Sequence, residues 1–373
     1  MSKTHININV RRELWFAAHG RCEFRGCNKR LDVNGITMDK CNISNYAHII
    51  GDSEDGPRGD SRSKELAKDP SNLMLLCPEC HKLIDHEGVE KYSEELLRAM
   101  KKEHEDRIWM ATAIQPENKS LVVAYGPKIG KDVPYFQKEE LHNAIFPDRY
   151  PATLDPVEIQ MKNSVLDEGD PDYWLIEKLQ IDKLCADKVL KAIENGITAH
   201  VSLFPLGPQP LLVKLGTVLN DKYHVRVYQM HRIPRTWRWL DEDVKNDIRL
   251  EKPIVEGKNP VLVIALSAKA IKERIIRRLG EKASIWVITC DEPGNDMMRS
   301  EEQFHQFNRV ARATMDAIKT AHPQADNLKI FMAAPASCAV ELGRIRMPKA
   351  DLPWVLFDYR AETDEDIEIL TIK

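Results

Sequence analysis

Residues 72–85 of this 373-residue chain run Asn72-Leu73-Met74-Leu75-Leu76-Cys77-Pro78-Glu79-Cys80-His81 and on to Asp85. A C-x2-C pair, an asparagine, a histidine and a carboxylate thus fall within one short stretch. Upstream, Cys22 and Cys27 form a C-x4-C pair. Two close thiol pairs can close a tetrahedral zinc site that ties segments about 50 residues apart, holding a fold without doing chemistry. Between the pairs, Tyr46-Ala47-His48-Ile49-Ile50 puts His48 at the end of an apolar run, where it can face Asn72 and His81 across a small hairpin and helix.

The pattern A-H-I, then N-L-x-L-L-C-x-x-C-H, with its two cysteine pairs, resembles the HNH (ββα-metal) nuclease family over roughly residues 10–110. The resemblance implies that His48 is the general base, that Asn72 orients it, and that the helix supplies His81 and, one turn later, Asp85 to a catalytic divalent cation such as Mg²⁺. Many members carry an acidic residue or histidine directly before the base. Here that position is Ala47, which leaves His81 and Asp85 to hold the ion, with water and phosphate completing its sphere. His48 alone reads as a satisfied core histidine; the family spacing of Asn72, His81 and Asp85 around it turns the reading to catalysis. His86 reads as a solvated helix face or a phosphate contact, and Arg58 and Arg62 as a solvated loop or phosphate clamps.

Hydrophobic residues at 43% and charged residues at 30% describe a globular chain long enough for two or three domains. No apolar run is long enough to span a bilayer and no signal peptide is evident, so the expectation is a cytoplasmic protein without a membrane. Cys41, Cys185, Cys290 and Cys338 are scattered and read as small buried apolar residues. The net charge is −4, and residues 1–119 hold 19 Lys and Arg against 20 Asp and Glu. Bulk charge therefore gives no attraction for nucleic acid. DNA binding must rest on a local patch and the metal, or on several copies acting together.

The elements that must position these residues follow from periodicity. Residues 10–19 read as a short helix, 51–71 as a polar loop with at most one helical turn, and 92–112 as an amphipathic helix closing the domain. The domain boundaries fall at 1–115 for the nuclease, 116–169 for a linker and the start of a sensor, and 170–373 for the sensor. Strands are predicted at 121–125, 198–204, 225–229, 261–266, 284–290, 329–333 and 354–357. Helices are predicted at 209–219, 268–279, 301–321 and 336–344. Continuous Val/Ile/Leu runs separated by helices imply largely parallel sheets in two Rossmann-like halves, at about 170–250 and 255–373. Neither G-x-G-x-x-G after a strand nor G-x4-G-K-[ST] occurs, so no dinucleotide or triphosphatase site is indicated. Two Pro-rich elbows, 204–210 and 333–337, instead set helix starts at a sheet's carboxyl edge, where such folds bind ligands.

Residues 201–240 and 331–359 resemble the SAVED domain, a cyclic-oligonucleotide sensor built of two CARF-like halves. An HNH nuclease followed by SAVED is the layout of the Cap5-type effectors of bacterial CBASS anti-phage defence. The fold class expected is α/β: an N-terminal zinc-stabilised ββα-metal domain, then a SAVED domain of two CARF/Rossmann-like halves. The resemblance implies double-stranded DNA as substrate, a cyclic di- or trinucleotide as activator, and a homo-oligomer, dimer or higher, on activation. Gln209, Tyr228, Arg235, Trp237, Asp291, Ser337 and Tyr359 are the candidate ligand contacts. The aromatic and basic run from Tyr228 to Trp239 suits base stacking and phosphate pairing, or else a packing turn; Ser337 suits a phosphate or a plain N-cap. A constitutive restriction-type nuclease with a C-terminal DNA-recognition domain is the competing enzyme reading. A zinc ribbon without turnover is the competing binding module.

Overall fold

Asn7 starts the first helix: its side chain accepts from Asn9 N, so α1 spans Ile8–Ala17, two residues earlier than its apolar spacing suggests. The computed structural model describes residues 4–161, 164–240, 242, 245–255, 257–270 and 272–373. The chain forms two units, Met1–Ile114 and Gln115–Lys373.

In the first unit, β1 (Asn45–His48) pairs antiparallel with β2 (Leu73–Leu76), His48 opposite Leu73. All four β2 residues are buried, Leu73 in a cluster with Ile6 and Leu14, and Met74, Leu75 and Leu76 in one with Ala18, Ile84, Leu97 and Met100. The polar connection between them contains one short α-helix, α2 (Ser63–Leu66), and a 3-10 turn at Pro70–Asn72, one helical segment more than expected. Pro78 opens α3 (Pro78–Lys82), with the Cys77 sulfur accepting from Cys80 N. The chain then continues through a wide turn at Leu83–Glu87 that carries Asp85. Ser93 caps α4 (Glu94–Ala113), which lays Leu97 and Met100 on Leu75, Leu76 and Ile84.

The second unit holds two sheets. Its elements run β3 (Lys119–Tyr125), α5 (Lys138–Ile145), β4 (Tyr150–Pro151), β5 (Val157–Ile159), α6 (Pro171–Leu184), α7 (Lys191–Glu194), β6 (His200–Pro205), α8 (Gln209–Val218), β7 (His224–Val227) and the hairpin β8 (His231–Arg232) and β9 (Arg235–Thr236). They continue with β10 (Arg249–Glu251), β11 (Asn259–Ala265), α9 (Lys272–Leu279), β12 (Ala283–Thr289), α10 (Glu301–Ala321), β13 (Leu328–Ala333), α11 (Ala336–Arg344), β14 (Trp354–Arg360) and β15 (Glu365–Ile372). One sheet is wholly parallel in the order β4-β3-β6-β7, with β5 also on β3. The other runs β10-β12-β11-β13-β14-β15, parallel inside and antiparallel at both edges.

The central strands β3 and β11 are buried along nearly their whole length, as continuous apolar runs require. The helix expected over 268–279 is helical from Lys272; residues 268–270 are not helical, and residue 271 lies outside the described residues. Helices α8 and α11 cross in reciprocal contact. A Cβ on Gly216 would stand 1.9 Å from the Val340 carbonyl oxygen, and one on Gly343 would stand 2.0 Å from that of Val213. Only glycine permits backbones this close. That crossing brings the two sheets' elbows together. Among the described residues, no helix is long and apolar enough to cross a membrane.

Candidate functional site

The hairpin delivers His48 into a buried position, 7% exposed, where its Nε2 lies 2.9 Å from the carbonyl oxygen of Ala67, one residue past α2. Asn72 does not touch the ring. Its amide clasps Ile50 instead, accepting from Ile50 N at 2.9 Å and donating to Ile50 O at 2.9 Å, with a further bond to Leu66 O. The asparagine thereby pins the backbone just after His48.

His81 and Asp85 come together as one helical turn requires, with Nε2 of His81 3.0 Å from Oδ2 of Asp85. The other carboxylate oxygen accepts from Arg58 Nη2 at 2.7 Å. Arg58 therefore is neither a solvated loop residue nor a phosphate clamp. Its side chain is 8% exposed, and it also donates to the carbonyls of His48, Ile49 and Ile84. One guanidinium nitrogen bridges the His48 carbonyl and the Asp85 carboxylate, so the strand bearing the imidazole and the turn bearing the acid share a staple. Burial pushes the Asp85 carboxyl up, but hydrogen bonds from His81 and Arg58 outweigh it and hold the group below its ordinary range. Arg58's left-handed backbone, φ +54°, persists because the hydrogen bonds of its side chain determine its place. Arg62 is exposed, paired with Asp60 and Glu94, and His86 is exposed.

The sulfurs of Cys22, Cys27, Cys77 and Cys80 lie within 4.8 Å of one another. Among the described residues this is the one group of three or more such side chains able to hold an ion. Cys27 Sγ and Cys77 Sγ are 3.9 Å apart, far beyond a disulfide. Burial pushes the Cys22 thiol up to about 12, and burial with the nearby Cys22 sulfur also pushes Cys80 up. Burial raises Cys77 too, whereas at Cys27 burial is outweighed by hydrogen bonds from Lys29 N and the other thiols, which pull the group down; a cation among them would ionise all four.

In the second unit the seven candidate contacts do not gather in one place. Gln209 and Ser337 sit on neighbouring elbows: Gln209 Nε2 donates to Ala334 O at 2.8 Å, while Ser337 donates through N and Oγ to Gln229 Oε1. Tyr228 is stacked on Phe204 at 4.5 Å, and Trp237 packs between Phe136 and Phe204. Both rings are buried core, 1% and 2% exposed, so neither offers a face to a base. Arg235 is exposed on the β8–β9 hairpin. Asp291, just past β12, pairs with Arg249 at 2.5 Å, and Tyr359 lies on β14 beneath Arg274. In the sheet, β11 and β13 stand between their strands. Gln229 was not foreseen. A recurrence was available to find the elbows: P-x4-V-x-L-G occurs at Pro208–Gly216 and again at Pro335–Gly343.

Two family models match the chain. Residues 60–87 match the HNH endonuclease model, and residues 181–371, more than half the chain, match the SMODS-associated and fused to various effectors sensor domain, SAVED. The chain belongs to the SAVED family. It joins an HNH endonuclease segment to a SAVED domain. No curated protein matches it. Among solved structures it is similar to the Acinetobacter baumannii Cap4 SAVED/CARF-domain containing receptor. With the cyclic trinucleotide 3'3'3'-cAAA the identity is 11%, covering 76% of this chain and 61% of that chain, at a TM-score of 0.43. The same receptor with 2'3'3'-cAAA gives 13%, 83%, 66% and 0.43. The Moraxella osloensis Cap4 receptor gives 10%, 77%, 59% and 0.40. This chain thus spans less than two thirds of the length of those SAVED structures.

Proposed function

We propose that this SAVED chain is a metal-dependent DNA endonuclease kept idle until a cyclic di- or trinucleotide engages its sensor. The observation that carries the reading is the seat of His48. A backbone carbonyl can only accept, so Nε2 donates to Ala67 O and Nδ1 is the ring nitrogen left to act as the base. A buried imidazole with a fixed lone pair is a base ready to take a proton from an attacking water. Asn72 holds the strand that carries it, and Arg58 turns the Asp85 carboxylate toward His81.

The His81 nitrogen and Asp85 oxygen, joined by a hydrogen bond at 3.0 Å, would hold a divalent cation in place of that proton, the imidazole and the carboxylate each offering one ligand. When bound, Mg²⁺ or a similar ion supplies Lewis acidity to the scissile phosphate and the leaving 3′ oxygen. The four cysteines are a structural zinc site in this reading. Sulfurs about 2.3 Å from one zinc stand about 3.8 Å apart, and the Cys27–Cys77 separation of 3.9 Å fits.

Each sheet with its elbow is one CARF-like half, a reading supported by the repeated P-x4-V-x-L-G and the reciprocal α8–α11 crossing. The activator lies over the paired elbows, at Gln209 and the carboxyl edge near Asp291 and Tyr359, while Ser337, fully buried, holds Gln229 beneath them. Residues 1–119 are near neutral, so one nuclease unit binds DNA weakly. Ligand-driven assembly into a homo-oligomer raises the local concentration of such units. In a bacterial cytoplasm this device would destroy DNA on command as anti-phage defence. The test is a screen of cyclic di- and trinucleotides, 3'3'3'-cAAA and 2'3'3'-cAAA among them, for plasmid cleavage by the full chain with Mg²⁺. Cleavage confined to one or a few ligands, with an earlier gel-filtration elution, is expected; equal cleavage without any of them sinks the gating.

A further inference from the structure

At the C-terminal ends of α8 and α11, away from the elbows, lies a cavity of about 550 Å³ with Lys178, Lys214, Lys222 and Arg346 in its wall. Asp221 is the one acidic side chain there. Lys214 already has a partner, Asp182 at 2.5 Å. Arg346 has none. It is 6% exposed, its Nε is buried without a partner, and among the described residues no hydrogen bond or ion pair reaches its guanidinium. Its ring contact is Trp354, 5.4 Å away. Asp351, whose charge reaches it, is held through both oxygens by Arg312 and accepts from Met347 N besides.

The C-terminal carbonyls of a helix repel anions, but a guanidinium stands at the turn that follows α8. Arg344 donates to the carbonyls of Leu219, Asn220 and Tyr223 and pairs with Glu341. Arg344 is thus engaged by that turn and by Glu341, while Arg346 has no hydrogen-bonded acceptor among the described residues. A buried guanidinium without acceptors is a rare and costly arrangement, and its planar fork fits phosphate oxygens. Lys178 and Lys222 carry no ion pair among the described residues and add to the same field. The volume exceeds that of a bare ion and falls in the range of small-molecule sites.

We infer that this cavity binds the phosphate group of a small phosphorylated molecule, with Arg346 as its buried cation and Lys178 and Lys222 at its flank. The site is separate from the elbows, which lie at the other end of the same two helices.

The experiment is calorimetric titration of the full chain with inorganic phosphate and, separately, with adenosine 5′-monophosphate, at low ionic strength against matched potassium chloride. Saturable binding of at least one probe is expected, weakened tenfold or more by Arg346→Met and by the double variant Lys178→Ala with Lys222→Ala. The lysine variant keeps the test decisive if Arg346→Met fails to fold. Equal affinity for both probes supports a site for phosphate alone; tenfold tighter binding of the nucleotide supports a nucleotide phosphate. No saturable binding of either probe, or binding that the lysine variant leaves unchanged, overturns the inference.

Discussion

In Met1–Ile114 the candidate active site is held by polar contacts: one guanidinium binds two strand-end carbonyls, a turn carbonyl and the Asp85 carboxylate, and four sulfurs converge in the same unit. In Gln115–Lys373 the elbows are placed by apolar strands and by a helix crossing that admits no side chain at Gly216 or Gly343. The contrast follows from size. A small unit has too little apolar area to fix a hairpin and a short helix within tenths of an ångström, so it leans on charged hydrogen bonds and on four converging sulfurs that could hold a metal. Two covered sheets position their loops chiefly through the core, with the Gln209–Ala334 and Ser337–Gln229 hydrogen bonds added at the elbows. Such a division predicts which perturbation reaches which half.

Disrupting the sulfur cluster has the largest effect. Cys77→Ser, or a strong chelator, is expected to unfold the first unit while the second stays native, because structural zinc contributes about 10 kcal/mol or more to small metal-bound folds. Limited proteolysis should then trim the chain to near Gln115; loss of both units together would break the comparison. Gly343→Val is expected to do the reverse, costing the sensor unit about 3 kcal/mol through overpacking against Val213 while the nuclease unit's melting is unmoved. Two-transition calorimetry reads both.

Arg58→Met comes next, at about 2–3 kcal/mol on the first unit, since it leaves Asp85 and three carbonyls without their donor. Cleavage should fall with it; a variant equally stable and equally active would show that Arg58 is no staple. The smallest effect belongs to Glu177, which is 2% exposed and lifted by burial to about 7. Because the folded state holds its proton more tightly than the unfolded chain, Glu177 is neutral in its cost below about pH 4.5. It then subtracts stability as pH rises toward 7 and levels off above. Glu177→Gln is therefore expected to stabilise the sensor unit by about 1–2 kcal/mol at pH 8 and to change nothing at pH 4.5. The linkage alone would allow about 3 kcal/mol, but the buried amide keeps an unpaired atom.

The same contrast explains what could be read beforehand. Cysteine spacing and continuous apolar runs are one-dimensional signals, and they led to the thiol cluster and the inner strands. The role of Arg58 depends on a loop folding back over β1, which no local pattern encodes. Tyr228 and Trp237 sit in a run of aromatics and arginines that serves base stacking or core equally well on paper. The side facing inward was decided by Phe136 and Phe204, distant in sequence. Edge strand β15 was hidden because Glu365, Asp366 and Glu368 depress strand propensity. The recurring P-x4-V-x-L-G was legible, and the helix crossing shows why its glycines recur.

The central claim is that the His48 imidazole is the base of a ligand-gated nuclease. The direct measurement is the plasmid-cleavage rate of His48→Ala beside the unaltered chain, both with Mg²⁺ and the activating cyclic nucleotide, after gel filtration has matched their assembly. A loss of about 100-fold or more, with folding and assembly intact, is the expected result. Cleavage at the unaltered rate would contradict the account.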